Sequence, residues 1–147
     1  MTEWRVAGDI AGVKVTTHGY AWGDSNRQPL ILLHGFMQTG ASWETFAQQF
    51  SDVFYVVAPD LIGHGMTTLS AQEECVFTLD AYVDQVLTLV AALQARGNLA
   101  KPILYGYSLG GRIAEVAATR YPGCFSALIL ESAGLGPENE EERASME

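Results

Sequence analysis

The segment from residue 103 to residue 112 constrains the fold of this chain more than any other. It opens with the apolar run Ile103-Leu104-Tyr105, continues as Gly-x-Ser-x-Gly at 106–110, and then places apolar residues at helical spacing. A strand that turns directly into a helix has this pattern, because such a strained turn leaves no room for side chains at its two glycines. The sequence therefore predicts a nucleophile elbow, and Ser108 is the first candidate catalytic residue.

Strands and helices are predicted to alternate along the rest of the chain. Residues 4–17 have the pattern of an antiparallel hairpin at one edge of a sheet, and helices are predicted to begin at Ser42, at Thr78 and after Ser108. The apolar strands between them cover residues 30–33, 53–58, 103–107 and 125–130. This order forces parallel pairing, so the sequence predicts an α/β fold with a mostly parallel sheet and helices on both faces.

The turn His34-Gly35-Phe36 follows a central strand, at the carboxyl end where parallel sheets carry their functional groups. Such a turn can aim the backbone N–H of Phe36 at a developing oxyanion, and the N–H of Leu109, at a helix start, supplies a second donor. His34 is expected to brace this loop rather than act as a general base, because the base of this motif class follows the nucleophile in the chain.

Four other polar residues are assigned structural roles. Asp60 and His64 lie in the turn-rich segment after the next strand, where Asp60 is predicted to bond turn amides and His64 to belong to a structural loop. His18 follows the hairpin and has no partner at a suggestive spacing, so a structural histidine at the surface or half-buried is expected. Glu131, at the end of the strand after the elbow, is expected to be a structural carboxylate.

Composition narrows the range of partners. The 147 residues suit one domain, and 17 acidic against 8 basic residues give a net charge of −9 without a basic cluster, which excludes nucleic acid and anionic membranes as expected partners. Cys75 and Cys124 lack the spacing of a zinc or redox motif, so no metal and no cofactor is expected. The acidic N-terminus and the lack of a long apolar run predict a cytoplasmic protein.

Three motifs stand in a familiar order: His-Gly-Phe at 34–36, Pro-Asp-x-x-Gly-His-Gly at 59–65 and Gly-x-Ser-x-Gly-Gly at 106–111. In this order the chain resembles the N-terminal half of an α/β-hydrolase-fold protein. The residues around His34 and Ser108, together with Leu130-Glu131-Ser132-Ala133, resemble those of the family of 2-succinyl-6-hydroxy-2,4-cyclohexadiene-1-carboxylate synthases of menaquinone biosynthesis. Members of that family eliminate pyruvate from a polyanionic precursor.

Arg112 supports this narrower resemblance. A guanidinium one helical turn after Ser108 can lie beside the pocket and bind a substrate carboxylate through two hydrogen bonds. A plain esterase for neutral esters does not need it. An exposed helix arginine paired with Glu115 or Glu131 explains the same residue equally well from the sequence alone.

The resemblance implies a small-molecule carboxylate as the substrate and assigns further residues to its site. Tyr107 and His34 would contact this substrate, and Arg143 falls near the arginines that the family uses in its cap. Activated Ser108 would abstract a proton before pyruvate leaves, while the amides of Phe36 and Leu109 stabilise the oxyanion.

The chain also departs from the family pattern. In this fold the triad runs Ser, acid, His along the chain, and no histidine follows Ser108 here. We therefore expect residues 1–147 to form a single α/β-hydrolase domain, truncated before the cap and the last strands, with residues 137–147 as the start of the cap. A serine without its histidine loses most of its rate, so the chain alone is expected to turn over poorly.

Three functions remain open at this point. The first is the pyruvate-eliminating lyase. The second is a serine hydrolase of the same fold, either a carboxylesterase or a carbon–carbon bond hydrolase. The third is a non-catalytic half-domain that needs a partner, or that self-associates through an exposed sheet edge.

Overall fold

A computed structural model describes residues 1–131 of the chain, and a seven-stranded sheet organises them. The strands are β1 (Thr2–Ile10), β2 (Val13–Trp22), β3 (Pro29–Leu33), β4 (Tyr55–Pro59), β5 (Thr68–Leu69), β6 (Ile103–Tyr107) and β7 (Ala127–Glu131). The α-helices of this region are α1 (Glu44–Phe50), α2 (Leu79–Ala95) and α3 (Leu109–Arg120), and short 3-10 helices cover Gly40–Trp43, Glu74–Val76 and Pro122–Cys124. The predicted start of a cap at 137–147, with Arg143, lies outside the described residues.

The strand order is β1-β2-β4-β3-β6-β7, with β5 paired to β2 beside this path. Strands β3, β4, β6 and β7 pair in parallel, whereas β1 and β2 form the predicted antiparallel hairpin at the edge. The prediction of a mostly parallel sheet is therefore confirmed. Because β3 lies between β4 and β6, the chain changes direction across the sheet there, and open parallel sheets bind ligands at such a switch point.

Both faces of the sheet are covered by helices, as predicted. Successive residues of a strand face opposite sides, so Ile31 and Leu33 pack in the cluster that contains residues of α2 and α3. Leu30 and Leu32 instead pack with Trp43 and Ala47 beside α1. None of the helices within residues 1–131 is long and apolar enough to cross a membrane.

The predicted helix boundaries are confirmed at α2 but not at α1. Thr78 caps α2, since its hydroxyl accepts the N–H of Ala81 at 3.1 Å, and Gly97 follows the helix with a φ of 95°. The prediction that Ser42 is the N-cap of α1 is wrong. A 3-10 turn precedes α1 there, and Ser42 Oγ accepts the N–H of the cap residue Thr39 at 3.2 Å.

Candidate active site

Residues 106–110, here called the elbow, form a strained turn between β6 and α3. Ser108 has a φ of 54° and a ψ of −112°, a backbone conformation that costs a residue with a side chain about 1–3 kcal/mol. A Cβ atom at Gly106 would collide with the backbone of Gly110, and one at Gly110 would collide with the carbonyl of Leu33. The predicted elbow is therefore present, and close backbone approach explains both glycines.

Hydrogen bonds to two neighbouring loops hold the elbow in place. The N–H of Ser108 donates to the carbonyl of Glu131 at the end of β7, over 3.1 Å. The N–H of Gly110 donates to the carbonyl of His34, directly after β3, also over 3.1 Å. The half-buried Ser108 thus lies between the carboxyl ends of β3 and β7.

Residues 34–40, here called the oxyanion loop after their predicted role, follow β3. Gly35 N–H donates to Gln38 Oε1 at 2.9 Å, Gln38 N–H donates back to the Gly35 carbonyl at 3.1 Å, and Met37 has a φ of 63°. The N–H groups of Phe36 and Leu109 have no acceptor within residues 1–131. An oxyanion hole requires free donors of this kind, and its assignment to these two amides stays a prediction.

His34 is fully buried at the start of this loop, and both of its ring nitrogens are engaged. Nδ1 lies 2.8 Å from the Gly35 carbonyl, and Nε2 accepts the N–H of Leu61 at 3.0 Å. A carbonyl only accepts, so we assign the proton to Nδ1 and a neutral ring, consistent with burial lowering the pKa of His34 to about 4. This geometry fits the predicted bracing role. The predicted substrate contact of His34 does not fit, because the ring exposes no surface.

The buried pair of His18 and Asp60 supports the same loop, and this pair was not predicted from the sequence. His18 Nδ1 lies 2.7 Å from Asp60 Oδ2, and the two side chains are 0% and 1% exposed. Asp60 also accepts the N–H groups of Gly40 at 2.8 Å and Met66 at 3.0 Å, so the prediction that it bonds turn amides is confirmed. The expectation of an exposed or half-buried His18 is wrong, because β2 lies between β1 and β4 inside the sheet.

His64 lies in the loop after β4 and forms part of a cavity wall. Its Nδ1 is 3.1 Å from the carbonyl of Ile62, and its ring meets the rings of His34 and Phe36 edge-on, with centroids 4.9 and 5.8 Å apart. His64, Phe36 and Phe77 line a cavity of about 420 Å³. The predicted structural loop therefore also shapes the site.

Two further cavities are lined by the residues on either side of Ser108 in the chain. The cavity of about 230 Å³ is lined by Leu109, Arg112, Phe77, Leu79 and Tyr82, and the cavity of about 170 Å³ is lined by Tyr107, Gln38, Ser42, Trp43 and Glu131. Arg112 is exposed and forms no ion pair within residues 1–131, so the predicted alternative of a pair with Glu115 or Glu131 is not found there. Its contact with a substrate carboxylate stays a prediction.

None of the three histidines lies in hydrogen-bond contact with Ser108 in the described part of the chain. His18 and His34 are fully buried. The described residues also contain no group of three His, Cys, Asp or Glu side chains suited to holding a metal ion. Within residues 1–131 the candidate groups of the site therefore remain Ser108, the amides of Phe36 and Leu109, and Arg112.

Known proteins are similar to this chain in sequence. A 2-succinyl-6-hydroxy-2,4-cyclohexadiene-1-carboxylate synthase from Escherichia coli is 31% identical over 115 residues, which cover 78% of this chain and 42% of that protein. Epoxide hydrolase 4 from Mus musculus is 31% identical over 113 residues, which cover 77% of this chain and 30% of that protein. The chain thus spans 30% to 42% of the length of these two curated relatives.

A solved structure is also similar to this chain. A malate-bound thermophilic esterase from Thermogutta terrifontis superimposes with a TM-score of 0.77 at 27% identity, covering 94% of this chain and 48% of that one. The family model described as alpha/beta hydrolase fold matches residues 28–146, which is most of the chain. The chain therefore belongs to the alpha/beta-hydrolase-fold family, an enzyme superfamily that includes hydrolases and lyases.

Proposed function

We propose that this chain carries the nucleophile-bearing part of a lyase that eliminates pyruvate from a polyanionic cyclohexene precursor in menaquinone biosynthesis. Arg112 is the observation that carries the proposal. Its exposed guanidinium lies one helical turn after Ser108, has no carboxylate partner within residues 1–131, and shares a cavity with Leu109. A guanidinium binds a carboxylate through two parallel hydrogen bonds, whereas a neutral ester has no need of such a partner.

The chemistry of the related synthase fits these groups. Its name describes a product with a succinyl chain, a ring carboxylate and a ring hydroxyl. One carboxylate would bind Arg112. The ring carbons would lie in the cavity that Phe36, His64 and Phe77 line, where the Phe36 side chain is 72% exposed and offers apolar surface.

The proposed mechanism uses Ser108 and the two free amides. Once a base has taken the proton of the Ser108 hydroxyl, Oγ removes a proton from a substrate carbon, and the electron pair of that C–H bond forms a C=C bond in the ring. The C–O bond to the pyruvate-derived group breaks at the same time, and pyruvate leaves as its enolate, which then takes up a proton. Negative charge that develops on a substrate oxygen would accept hydrogen bonds from the amides of Phe36 and Leu109. Preorganised donors of this kind stabilise the transition state by about 3–4 kcal/mol each.

A serine hydrolase of the same fold is the second candidate. The cavity of about 420 Å³ is bordered by the exposed side chains of Phe36 and Met37, and such apolar surface suits the alkyl or acyl group of an ester. Similarity to an esterase and to an epoxide hydrolase favours the same reaction class. In this case Arg112 would have no effect on turnover of a neutral ester.

A half-domain that needs a partner is the third candidate. Strand β7 stands last in the strand order of the described residues, and Leu128 and Ile129 on it are 37% and 43% exposed. A strand edge with apolar side chains is a template for pairing with another chain. Self-association through β7 would make the chain dimeric in sedimentation, and Leu128→Lys would make it monomeric.

Calorimetric titration with 2-succinylbenzoate, an aromatic dicarboxylate shaped like the proposed product, tests the lyase proposal without requiring turnover. Arg112→Gln should weaken binding roughly ten- to a hundredfold, because a carboxylate loses its charged partner. Arg5→Gln is the matched control, since Arg5 is also exposed and lies on the edge strand β1. Equal affinity of the wild type and Arg112→Gln would contradict the proposal, and rapid hydrolysis of a neutral ester by both would favour the second candidate.

A further inference from the structure

The cavity of about 170 Å³ beside Tyr107 is separate from the cavity that Arg112 lines. The two share no lining residue, although Tyr107 and Leu109 are the immediate neighbours of Ser108. The N–H of Ser108 bonds the carbonyl of Glu131, and Glu131 is among the residues that line the cavity beside Tyr107. The two cavities thus offer separate places for two groups of one ligand.

Glu131 presents a carboxylate to this cavity in a defined orientation. Its Oε2 accepts the hydroxyl of Tyr105 at 2.7 Å, and the ring of Tyr105 is held by Trp43 and Phe46, with centroids 5.5 and 5.0 Å away. Burial, together with the bond to Glu131, raises the pKa of Tyr105 to about 12, so the phenol stays a donor at neutral pH. The prediction of a structural role for Glu131 fits this bond, but Oε1 has no partner within residues 1–131.

Gln38 supplies a donor to the same cavity. Its Oε1 already accepts the N–H of Gly35, and its Nε2 has no acceptor among the described residues. The cavity thus combines a fixed acceptor from Glu131 with a donor from Gln38. A ligand carboxylate would be repelled by Glu131 and an ammonium would meet the amide donor, whereas a hydroxyl can donate to the first and accept from the second.

We propose that this cavity binds a hydroxyl group of the ligand, with Glu131 as its acceptor and Gln38 as its donor. The inference rests on the proposed function, in which the ligand carries carboxylates and one ring hydroxyl. Arg112 then recognises a carboxylate, and Glu131 determines where the hydroxyl lies. Glu131 is a specificity-determining residue in this arrangement.

Two ligands that differ by one hydroxyl test the proposal: trans-2-hydroxycyclohexane-1-carboxylate and cyclohexane-1-carboxylate. Each is titrated into the ¹⁵N-labelled 147-residue chain, and amide shifts give both dissociation constants. The hydroxylated ligand should bind roughly tenfold tighter, as expected for a hydrogen bond to a charged group, and only it should shift the amides of Gln38 and Tyr107.

Glu131→Gln should bring the ratio of the two dissociation constants close to one. In this variant the new side-chain amide oxygen would accept the Tyr105 hydroxyl, which leaves an NH₂ group in place of the free acceptor. Glu115→Gln is the matched control, because it removes the same charge from α3 outside the cavity and should leave the ratio unchanged.

Equal affinities in the wild type, a preference that survives Glu131→Gln, or no binding of either ligand would each overturn the inference. The proposed function depends instead on how much Arg112→Gln weakens the binding of each ligand. Arg112→Gln should weaken both ligands by the same factor and leave their ratio unchanged. If the two ligands bind equally well and both bind much more weakly to Arg112→Gln, the hydroxyl site is contradicted and the carboxylate site is supported.

Discussion

Replacing His18 with alanine is predicted to destabilise the whole domain, although His18 is not among the predicted substrate-binding residues. The imidazole bonds Asp60 at 2.7 Å, and both side chains are excluded from water, so solvent does not screen their interaction. Removing one member of a buried pair costs about 3–5 kcal/mol. Because Asp60 keeps the N–H groups of Gly40 and Met66, we expect the lower end of that range, about 3 kcal/mol.

Urea unfolding measured by circular dichroism gives the change in free energy directly. His18→Asn is the informative second variant, because its side-chain N–H can replace Nδ1–H, and it should recover about half of the loss. Arg120→Ala breaks the exposed pair with Asp80 and should change stability by less than about 1 kcal/mol. A loss in His18→Ala no larger than in Arg120→Ala would refute the inference that this pair supports the oxyanion loop.

Three further predictions concern the stability contributions of His34, Gly110 and Thr78. Burial lowers the pKa of His34 from 6.5 to about 4. As pH falls through this range, the unfolded chain takes up a proton that the folded chain does not. The free energy of unfolding should therefore decrease by about 3 kcal/mol between pH 6.5 and pH 4. Urea unfolding at several pH values should show this slope in the wild type and a smaller one in His34→Gln. Gly110→Ala should cost about 3 kcal/mol in thermal unfolding, since its Cβ would strike the carbonyl of Leu33. Thr78→Ala should cost about 1 kcal/mol in the same assay through loss of the cap on α2, and an unchanged midpoint would contradict the capping bond.

The order of strands and helices could be predicted because each signal is local. The alternation of apolar runs with amphipathic segments, the cap at Thr78 and the stop at Gly97 all depend on a few neighbouring residues. The start of α1 could not be predicted in the same way. A serine can be the N-cap of a helix or, as Ser42 does here, accept the N–H of a cap residue three positions earlier, and the local sequence does not distinguish the two.

The supports of the site are less visible in sequence than its motifs. His18 and Asp60 are 42 residues apart, and nothing local links them. One local pattern does indicate that His18 is buried. His18, Tyr20 and Trp22 alternate along β2, and aromatic residues at every second position of a strand indicate a packed face. The solvent exposure of Arg112 and its lack of a partner within residues 1–131 depend on tertiary structure, so its two interpretations were equal from the sequence alone.

Release of pyruvate from the pathway precursor by the purified chain tests the central claim most directly. No histidine bonds Ser108 here, so we predict only the acceleration that an oxyanion hole and binding provide, roughly a thousandfold over the uncatalysed rate. This release should change little in Ser108→Ala, because a serine without its histidine adds little, and should fall roughly ten- to a hundredfold in Arg112→Gln, while p-nitrophenyl acetate is hydrolysed slowly. Rapid hydrolysis of p-nitrophenyl acetate that is unchanged in Arg112→Gln, without release of pyruvate, would contradict the account.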